Sequence, residues 1–349
     1  MTTTASSRPP VPTSDEEALI SSSARRSDRD VGGAAPAVVT LGEAMCVLQA
    51  EHIGPVRHNR SVRLGMSGAE TNVAIGVRRL GVPSAWIGRV GEDPMGEIIA
   101  GELRAEGVDV TALRTDGAAP TGLMVKERRT SKVSRVFYVR SGSAGSRLSP
   151  DDVSRELVEG ARALHITGIT LALSESARAA VHHAIGIARD AGVLVSFDVN
   201  HRTGLWSAEE AVEHYRATAM LADVVFASHD EARMLVGDLG AAASAAAMGG
   251  LGPEQVVIKQ GELGFTARIH GREYAAPAVA VPVVDPVGAG DAFVAGYLAS
   301  LVRGEPPEAA LRTANALGAF AVSVPGDWEG LPSVAELPLV GPLDDPVLR

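Results

Sequence analysis

Short apolar runs that stop at a glycine or a polar residue recur along this chain, and stretches with helical spacing lie between them. The first run is Val38-Val39-Thr40-Leu41, ended by Gly42. Others lie at Ala85 to Val90, Leu164 to Thr167, Leu194 to Asp198, Asp223 to Ala227 and Val256 to Lys259. Strands buried on both faces read as continuous apolar runs, because neither side of them meets water. The helix candidates between them are Glu70 to Leu80, Pro94 to Glu106, Ser174 to Ala191, Ala208 to Leu221 and Asp230 to Val236. Pro94 after Asp93 marks a helix start, and Gly81, Gly107 and Gly192 mark stops. Repeated β then α predicts an α/β fold, a doubly wound and mostly parallel sheet with helices on both faces. Hydrophobic residues make up 46% of the chain, enough to fill such a core, but aromatics are only 4%, so its packing is expected to be aliphatic.

Two stretches break the alternation. Thr121 to Arg140 reads as extended runs, Gly122 to Glu127 and Ser134 to Arg140, around the polar turn Arg128-Arg129-Thr130-Ser131-Lys132. Val47 to Leu64 has no helical period either. Together they suggest a small accessory sheet, either a lid over a ligand site or an edge decoration. Residues 1 to 36 are rich in Ser, Thr, Pro, Arg and Asp and lack the apolar core of a secretory signal, so they read as a disordered tail. Residues 37 to 342 read as the folded domain and 343 to 349 as a second tail. The Ala-rich stretch from Ala241 to Gly250 reads as a surface helix and loop.

A formal net charge of −10 disfavours a general polyanion binder such as a nucleic-acid-binding protein, which needs a basic face, while leaving a small local anion site allowed. No stretch approaches the ~18 to 20 consecutive apolar residues of a membrane span, and no membrane partner is expected. Cys46 is the only cysteine, which excludes an intrachain disulfide framework or a cysteine-cluster zinc site and fits a reducing, cytoplasmic setting.

The most informative segment is Asp285-Pro286-Val287-Gly288-Ala289-Gly290-Asp291-Ala292-Phe293, a glycine-rich turn that runs into an amphipathic helix through about Arg303 with Val294, Leu298 and Leu301 as its apolar stripe. Gly288 and Gly290 remove side chains where a ligand must approach the backbone, and the first helical N–H groups around Ala289 then point out unsatisfied. Such donors form an anion hole suited to a phosphoryl group in flight. Asp291 beside it could take the proton from an attacking hydroxyl. The alternative is that Asp291 only caps a helix and the glycines only make a turn. A dinucleotide fingerprint would need a third glycine, and no Gly-x-x-x-x-Gly-Lys-Ser/Thr loop occurs. There is also no Gly-x-Ser-x-Gly elbow or His-Glu-x-x-His motif to suggest a hydrolase.

Asp285 to Phe293 resembles the second signature of the ribokinase-like (PfkB) carbohydrate kinases, usually Asp-Thr-x-Gly-Ala-Gly-Asp-x-Phe, with Pro286 as the departure. Gly65-Met66-Ser67-Gly68-Ala69-Glu70-Thr71-Asn72-Val73-Ala74 resembles the first signature, followed by Leu80-Gly81 and by Gly88-Arg89-Val90-Gly91-Glu92-Asp93-Pro94-Met95-Gly96. The match runs in register from about Val38 to about Leu337. It implies a ribokinase-like fold with a small β lid at about 47 to 64 and 121 to 140, Gly288 to Asp291 as the catalytic anion hole, and Asp291 as general base. ATP and Mg²⁺ are the implied cofactors, with a further monovalent cation such as K⁺ near Asp285 and Val287.

Within the family, Asp198-Val199-Asn200-His201-Arg202 followed by Leu205-Trp206 is similar to kinases of 2-keto-3-deoxygluconate. Val136-Phe137-Tyr138-Val139-Arg140-Ser141-Gly142-Ser143-Ala144 resembles their Tyr-x-Arg strand, and Gly326-Asp327-Trp328-Glu329-Gly330-Leu331-Pro332 their C-terminal segment. His201 and Val139 stand where tyrosines are usual. Arg140 and Arg202 suit the carboxylate of a sugar acid, since guanidinium groups make charge-assisted, bidentate contacts with it. Gly68, Ala69, Asn72 and Asn200 are then expected at the sugar, with Tyr138 as a wall. On the nucleotide side, Lys259-Gln260-Gly261-Glu262-Leu263-Gly264 resembles the family's Lys-x-Gly-x-x-Gly turn beside the ATP phosphates, although it also reads as a strand-end hairpin. Ser228 and Glu231 resemble an Asn-x-x-Glu element near phosphate and magnesium, and Asn315 is expected at the adenine. The resemblance implies phosphorylation of the terminal hydroxyl of a sugar acid. The rivals are a kinase of the same family acting on fructose, ribose or a nucleoside, and a non-catalytic sensor. A homo-oligomer, such as a dimer through the exposed lid edges, is expected.

Overall fold

In the computed structural model, which describes residues 36–59, 61–130 and 133–340, the apolar runs are strands and the stretches between them helices. The strands in chain order are β1 (Val38–Leu41), β2 (Met45–Ala50), β3 (Val62–Ser67), β4 (Ser84–Gly91), β5 (Leu113–Asp116), β6 (Gly122–Arg128) and β7 (Ser134–Val139). They continue with β8 (Ala163–Thr167), β9 (Leu194–Asp198), β10 (Val224–Ser228), β11 (Gln255–Lys259), β12 (Phe265–Ile269) and β13 (Arg272–Ala276). The helices are α1 (Ala69–Arg79), α2 (Pro94–Ala105), α3 (Arg155–Gly160), α4 (Gly168–Leu173) and α5 (Glu175–Asp190). After them come α6 (Ala208–Ala219), α7 (His229–Val236), α8 (Ala241–Gly249), α9 (Ala289–Val302) and α10 (Pro307–Val322).

The main sheet has the order β13-β12-β11-β10-β9-β8-β1-β4-β5. Its strands from β11 to β5 are parallel, and β12 and β13 extend it as an antiparallel edge. Chain order reverses between β1 and β8, and a crevice opens at the carboxyl ends of strands at such a point. Each face carries its own aliphatic core. One joins Val73 and Val77 of α1 to Ala295 and Leu298 of α9 and Leu311 and Leu317 of α10. The other joins Val181 and Ile185 of α5 to Tyr215 of α6, Leu235 of α7 and Met248 of α8.

The stretches without helical period form a second sheet, β3-β2-β6-β7, with β2 and β6 parallel and the outer pairs antiparallel. Side chains alternate across it. Met45, Val47, Met124 and Val136 cluster on the inner face, while Leu64, Phe137 and Val139 on the outer face are 55%, 48% and 64% exposed.

Several elements differ from the sequence-based expectation. β12 carries alternating rather than continuous apolar residues, and the edge strand β5 reads Leu-Arg-Thr-Asp, so a search for fully buried runs passes over both. Helix α9 is not amphipathic: Asp291 to Ser300 are all buried. It is sandwiched so closely that a Cβ on Gly76 of α1 would lie 2.6 Å from the Ala295 Cβ, and one on Gly296 would lie 2.8 Å from the Ala314 Cα of α10. The tails assigned to 1 to 36 and 343 to 349, apart from Pro36, and Ser131 and Lys132 of the expected turn lie outside the described residues.

Candidate active site

A cavity of about 1030 Å³ lies between the inner face of the small sheet and the carboxyl ends of the main strands. Every residue singled out above as a site residue lines it, except Asp285, which is buried behind the wall. The small sheet therefore covers this cavity.

Gly288 sits at φ +79° at the N-cap of α9, and no side chain caps the helix. The N–H groups of Ala289, Gly290 and Asp291 consequently face the cavity without an intrahelical acceptor. A Cβ on Gly288 would lie 2.0 Å from the Asp327 carbonyl oxygen, so only glycine admits this approach. Asp291 Oδ2 accepts a hydrogen bond from Asn72 Nδ2 at 2.8 Å, across from α1. Burial raises the Asp291 pKa, opposed by the Asn72 hydrogen bond and by the charges of Arg202 and Lys259. The site thus sets the Asp291 carboxyl group beside a row of free donors.

Lys259 ends β11 and is not a free phosphate ligand: its Nζ donates to Asp198 Oδ2, at the end of β9, at 2.6 Å. Burial alone would depress this ammonium, but Asp198 and Glu231 outweigh it and hold the pKa above its ordinary value. Burial pushes Asp198 up to about 6, with Lys259 opposing. Because a Cβ on Gly290 would lie 3.3 Å from Lys259 Nζ, the positive charge still borders the anion hole. The turn that follows is a hairpin, closed by Gln260 N to Gly264 O at 2.8 Å, and it also lines the cavity. The hairpin reading of Gly261 and Gly264 holds, and both glycines also face the cavity.

Arg140 differs from expectation. Its guanidinium pairs with the buried Glu43 carboxylate, which also accepts from Ser143 Oγ at 2.8 Å, and it lies over the Tyr138 ring at 5.5 Å. Burial raises the Glu43 pKa, with Arg140 opposing. The buried Arg140 Nε has no protein partner among the described residues. Arg202, by contrast, is exposed toward the cavity and pairs with no acidic group among the described residues. Asn200, at φ +38°, turns the chain so that His201 N donates to Glu231 Oε1 at 2.7 Å. His201 Nδ1 lies 3.0 Å from the Tyr215 hydroxyl, so a phenol from α6 stands beside the position where a tyrosine was expected.

Glu231 Oε2 also accepts from Ser228 N, at 2.6 Å, and Glu231 N donates to Ser228 Oγ at 3.2 Å, a reciprocal cap of α7. Each carboxylate oxygen keeps a lone pair on the cavity wall. Among the described residues no group of three or more His, Cys, Asp or Glu side chains is placed to hold a metal. A single carboxylate fits Mg²⁺ of the kind carried mainly by nucleotide phosphates and water. At Asp285 one carboxylate oxygen takes the Lys126 ammonium at 2.8 Å and the other accepts Val287 N at 3.3 Å. This donor set fits an ammonium supplied by the chain better than a free monovalent cation. Asn315 lines the cavity, its amide tied to Pro277 O at 2.8 Å, near Val281, Val283 and Val322, which offer an apolar wall for a planar base.

The family model described as pfkB family carbohydrate kinase matches residues 35–334. The chain belongs to the PfkB family of carbohydrate kinases. Among curated PfkB relatives, 2-dehydro-3-deoxygluconokinase of Thermoproteus tenax is 39% identical over 304 residues, covering 86% of this chain and 92% of that protein. The enzyme of the same name from Bacillus subtilis is 35% identical over 302 residues, covering 86% and 93%. A solved E. coli structure described as a ribokinase II in complex with ATP and Mg²⁺ is 27% identical, with a TM-score of 0.81 over 87% of this chain and 98% of that one.

In this PfkB kinase the ribokinase-like fold is present as expected. Sequence reasoning missed Glu43, Lys126, Ser143 and Asp327, all buried at the cavity or just behind it. Glu43 follows β1 at the reversal of strand order, where a polar residue is itself a signal. Lys126 carried one too, as a charged residue at an inward position of a lid strand.

Proposed function

We propose that this kinase transfers the terminal phosphoryl group of ATP to the terminal hydroxyl of 2-keto-3-deoxygluconate, giving the 6-phosphate. The observation that carries the reading is Arg202, an unpaired guanidinium in the cavity, close enough to Asp291 for its charge to lower that group's pKa. A sugar acid seated with its carboxylate at Arg202 and its far hydroxyl at Asp291 uses both groups. Two relatives at 39% and 35% identity carry the name of this activity. Asn72 orients Asp291, Asp291 takes the hydroxyl proton, and the N–H groups of Ala289 to Asp291 meet the oxygens of the phosphoryl group. Mg²⁺, when bound beside Glu231, supplies positive charge to the phosphates. The lid excludes water, which favours the sugar hydroxyl over hydrolysis.

One observation favours a second reading. Glu43 neutralises Arg140, which suits a hydroxyl at that position and hence a neutral sugar such as fructose or ribose. ADP release measured over 2-keto-3-deoxygluconate, its galacto epimer, gluconate, fructose and ribose separates the two. The sugar acid is expected to have the highest kcat/KM, and Arg202→Met to raise its KM by roughly 10- to 10²-fold, the worth of a hydrogen bond to a charged group. Preference for a neutral sugar, unaffected by that substitution, would overturn the reading.

We further propose a cytoplasmic dimer through the lid. Leu64, Phe137 and Val139 form an outward apolar face on edge strands, which a second copy would cover. The single cysteine and the lack, among the described residues, of a helix able to cross a membrane support the location. Activity in the unsedimented lysate, eluting at twice the chain mass and shifting to the monomer on Phe137→Asp, is the expected result. Elution of the unaltered protein as a monomer counts against it.

A further inference from the structure

Lys126 lies on β6 with its side chain pointing to the inner face of the lid, among Met45, Met124 and Val136, and it is 1% exposed. An ammonium in such surroundings persists only when paired. Here it donates to two buried carboxylates at 2.8 Å each, Asp285 Oδ2 and Asp327 Oδ1. Asp285 precedes the glycine turn, and its second oxygen accepts Val287 N within that turn. Asp327 comes from the C-terminal segment, accepts Ser67 Oγ at 2.5 Å from β3, and presents the carbonyl against which Gly288 is packed. The loop that aims the free N–H groups is therefore clamped between two carboxylates, and one lid lysine holds both.

We propose that Lys126 is a positioning residue for phosphoryl transfer: a tethered cation that fixes residues 285 to 288 and makes the shape of the anion hole depend on the lid being seated. Without it, two carboxylates repel one another behind a site that must gather phosphate charge. The clamp acts on the turn that carries the free N–H groups, whichever sugar is used. It rests on the assignment of Gly288 to Asp291 as the anion hole.

The test is a comparison of the full-length protein with Lys126→Met, in buffer whose only monovalent cation is too bulky to enter the site, with ADP release and thermal unfolding both followed. Lys126→Met is expected to lower kcat by about 10²-fold, the usual effect of misplacing reacting groups by an ångström, with a much smaller change in KM. Ammonium, methylammonium or K⁺ is expected to restore part of that kcat. The unaltered enzyme is expected not to respond to these ions. A merely structural lysine would give lost stability without ion rescue, and that result overturns the proposal, as does undiminished kcat in Lys126→Met. Should the variant fail to fold, the unaltered enzyme still decides: activation by K⁺ overturns the proposal, and indifference to it supports it. Gly288→Ala, which displaces the free N–H groups themselves, separates the two levels in the same assay. Normal turnover there removes the anion-hole assignment itself, whereas loss there with a normal Lys126→Met removes only the role of the lysine.

Discussion

Asp291→Ala is expected to lower kcat by about 10² to 10⁴-fold, the range a positioned proton acceptor supplies, with the fold intact by circular dichroism. The argument is geometric first. The carboxylate belongs to the last residue in the row of free N–H groups, and Asn72 holds its Oδ2 at 2.8 Å, so the remaining oxygen has a defined direction. Burial raises its pKa, and a base with a raised pKa loses its function at higher pH than an ordinary carboxylate does. As pH falls, kcat of the unaltered enzyme should therefore decline before exposed carboxylates titrate, whereas the residual rate of Asp291→Ala should not follow that limb. Near-normal turnover in Asp291→Ala would remove the residue from this role.

Gly288→Ala is the second large effect. At φ +79° an alanine is strained by roughly 1–2 kcal/mol, and its Cβ would also meet the Asp327 carbonyl oxygen at 2.0 Å. That carbonyl cannot simply retreat, because the Asp327 side chain is held by Lys126 and Ser67. The turn must shift, and with it the donors that follow. A loss of kcat of about 10²-fold or more is expected, together with a lower melting temperature. Gly271→Ala is the control: its φ is +80°, but nothing lies within 4 Å of its Cβ, so backbone strain is present without collision at the site. If both variants kept full activity, the close packing at Gly288 would have no part in catalysis.

Much of this was legible in the chain because it resides in consecutive residues. The Gly-Ala-Gly-Asp turn carries its own conformation and its own donors, and the parallel strands announce themselves by unbroken apolar runs. What was not legible depends on distant partners. Lys259 read as a free cation because nothing nearby in sequence reveals that Asp198, 61 residues away, already accepts its ammonium. Arg140 and Glu43 are 97 residues apart, and Lys126 is 159 and 201 residues from its two carboxylates. A charged side chain reads as available until the fold shows what it already holds. Helix α9 misled for a related reason: a period of 3.6 marks one face, but small residues on the opposite face, Gly296 among them, let neighbouring helices close over that side as well.

The alternation of the lid strands bears on how such a protein tolerates change in length. Along β6, Met124 and Lys126 face the cavity, and Leu123 and Val125 face the other way. Insertion or deletion of one residue within the strand would exchange the two sets, bringing an aliphatic group to Asp285 and Asp327 and sending the ammonium outward. Substitutions on the outer positions can drift under the demands of packing alone. A residue gained or lost between β6 and β7 would instead leave the parity of both strands untouched.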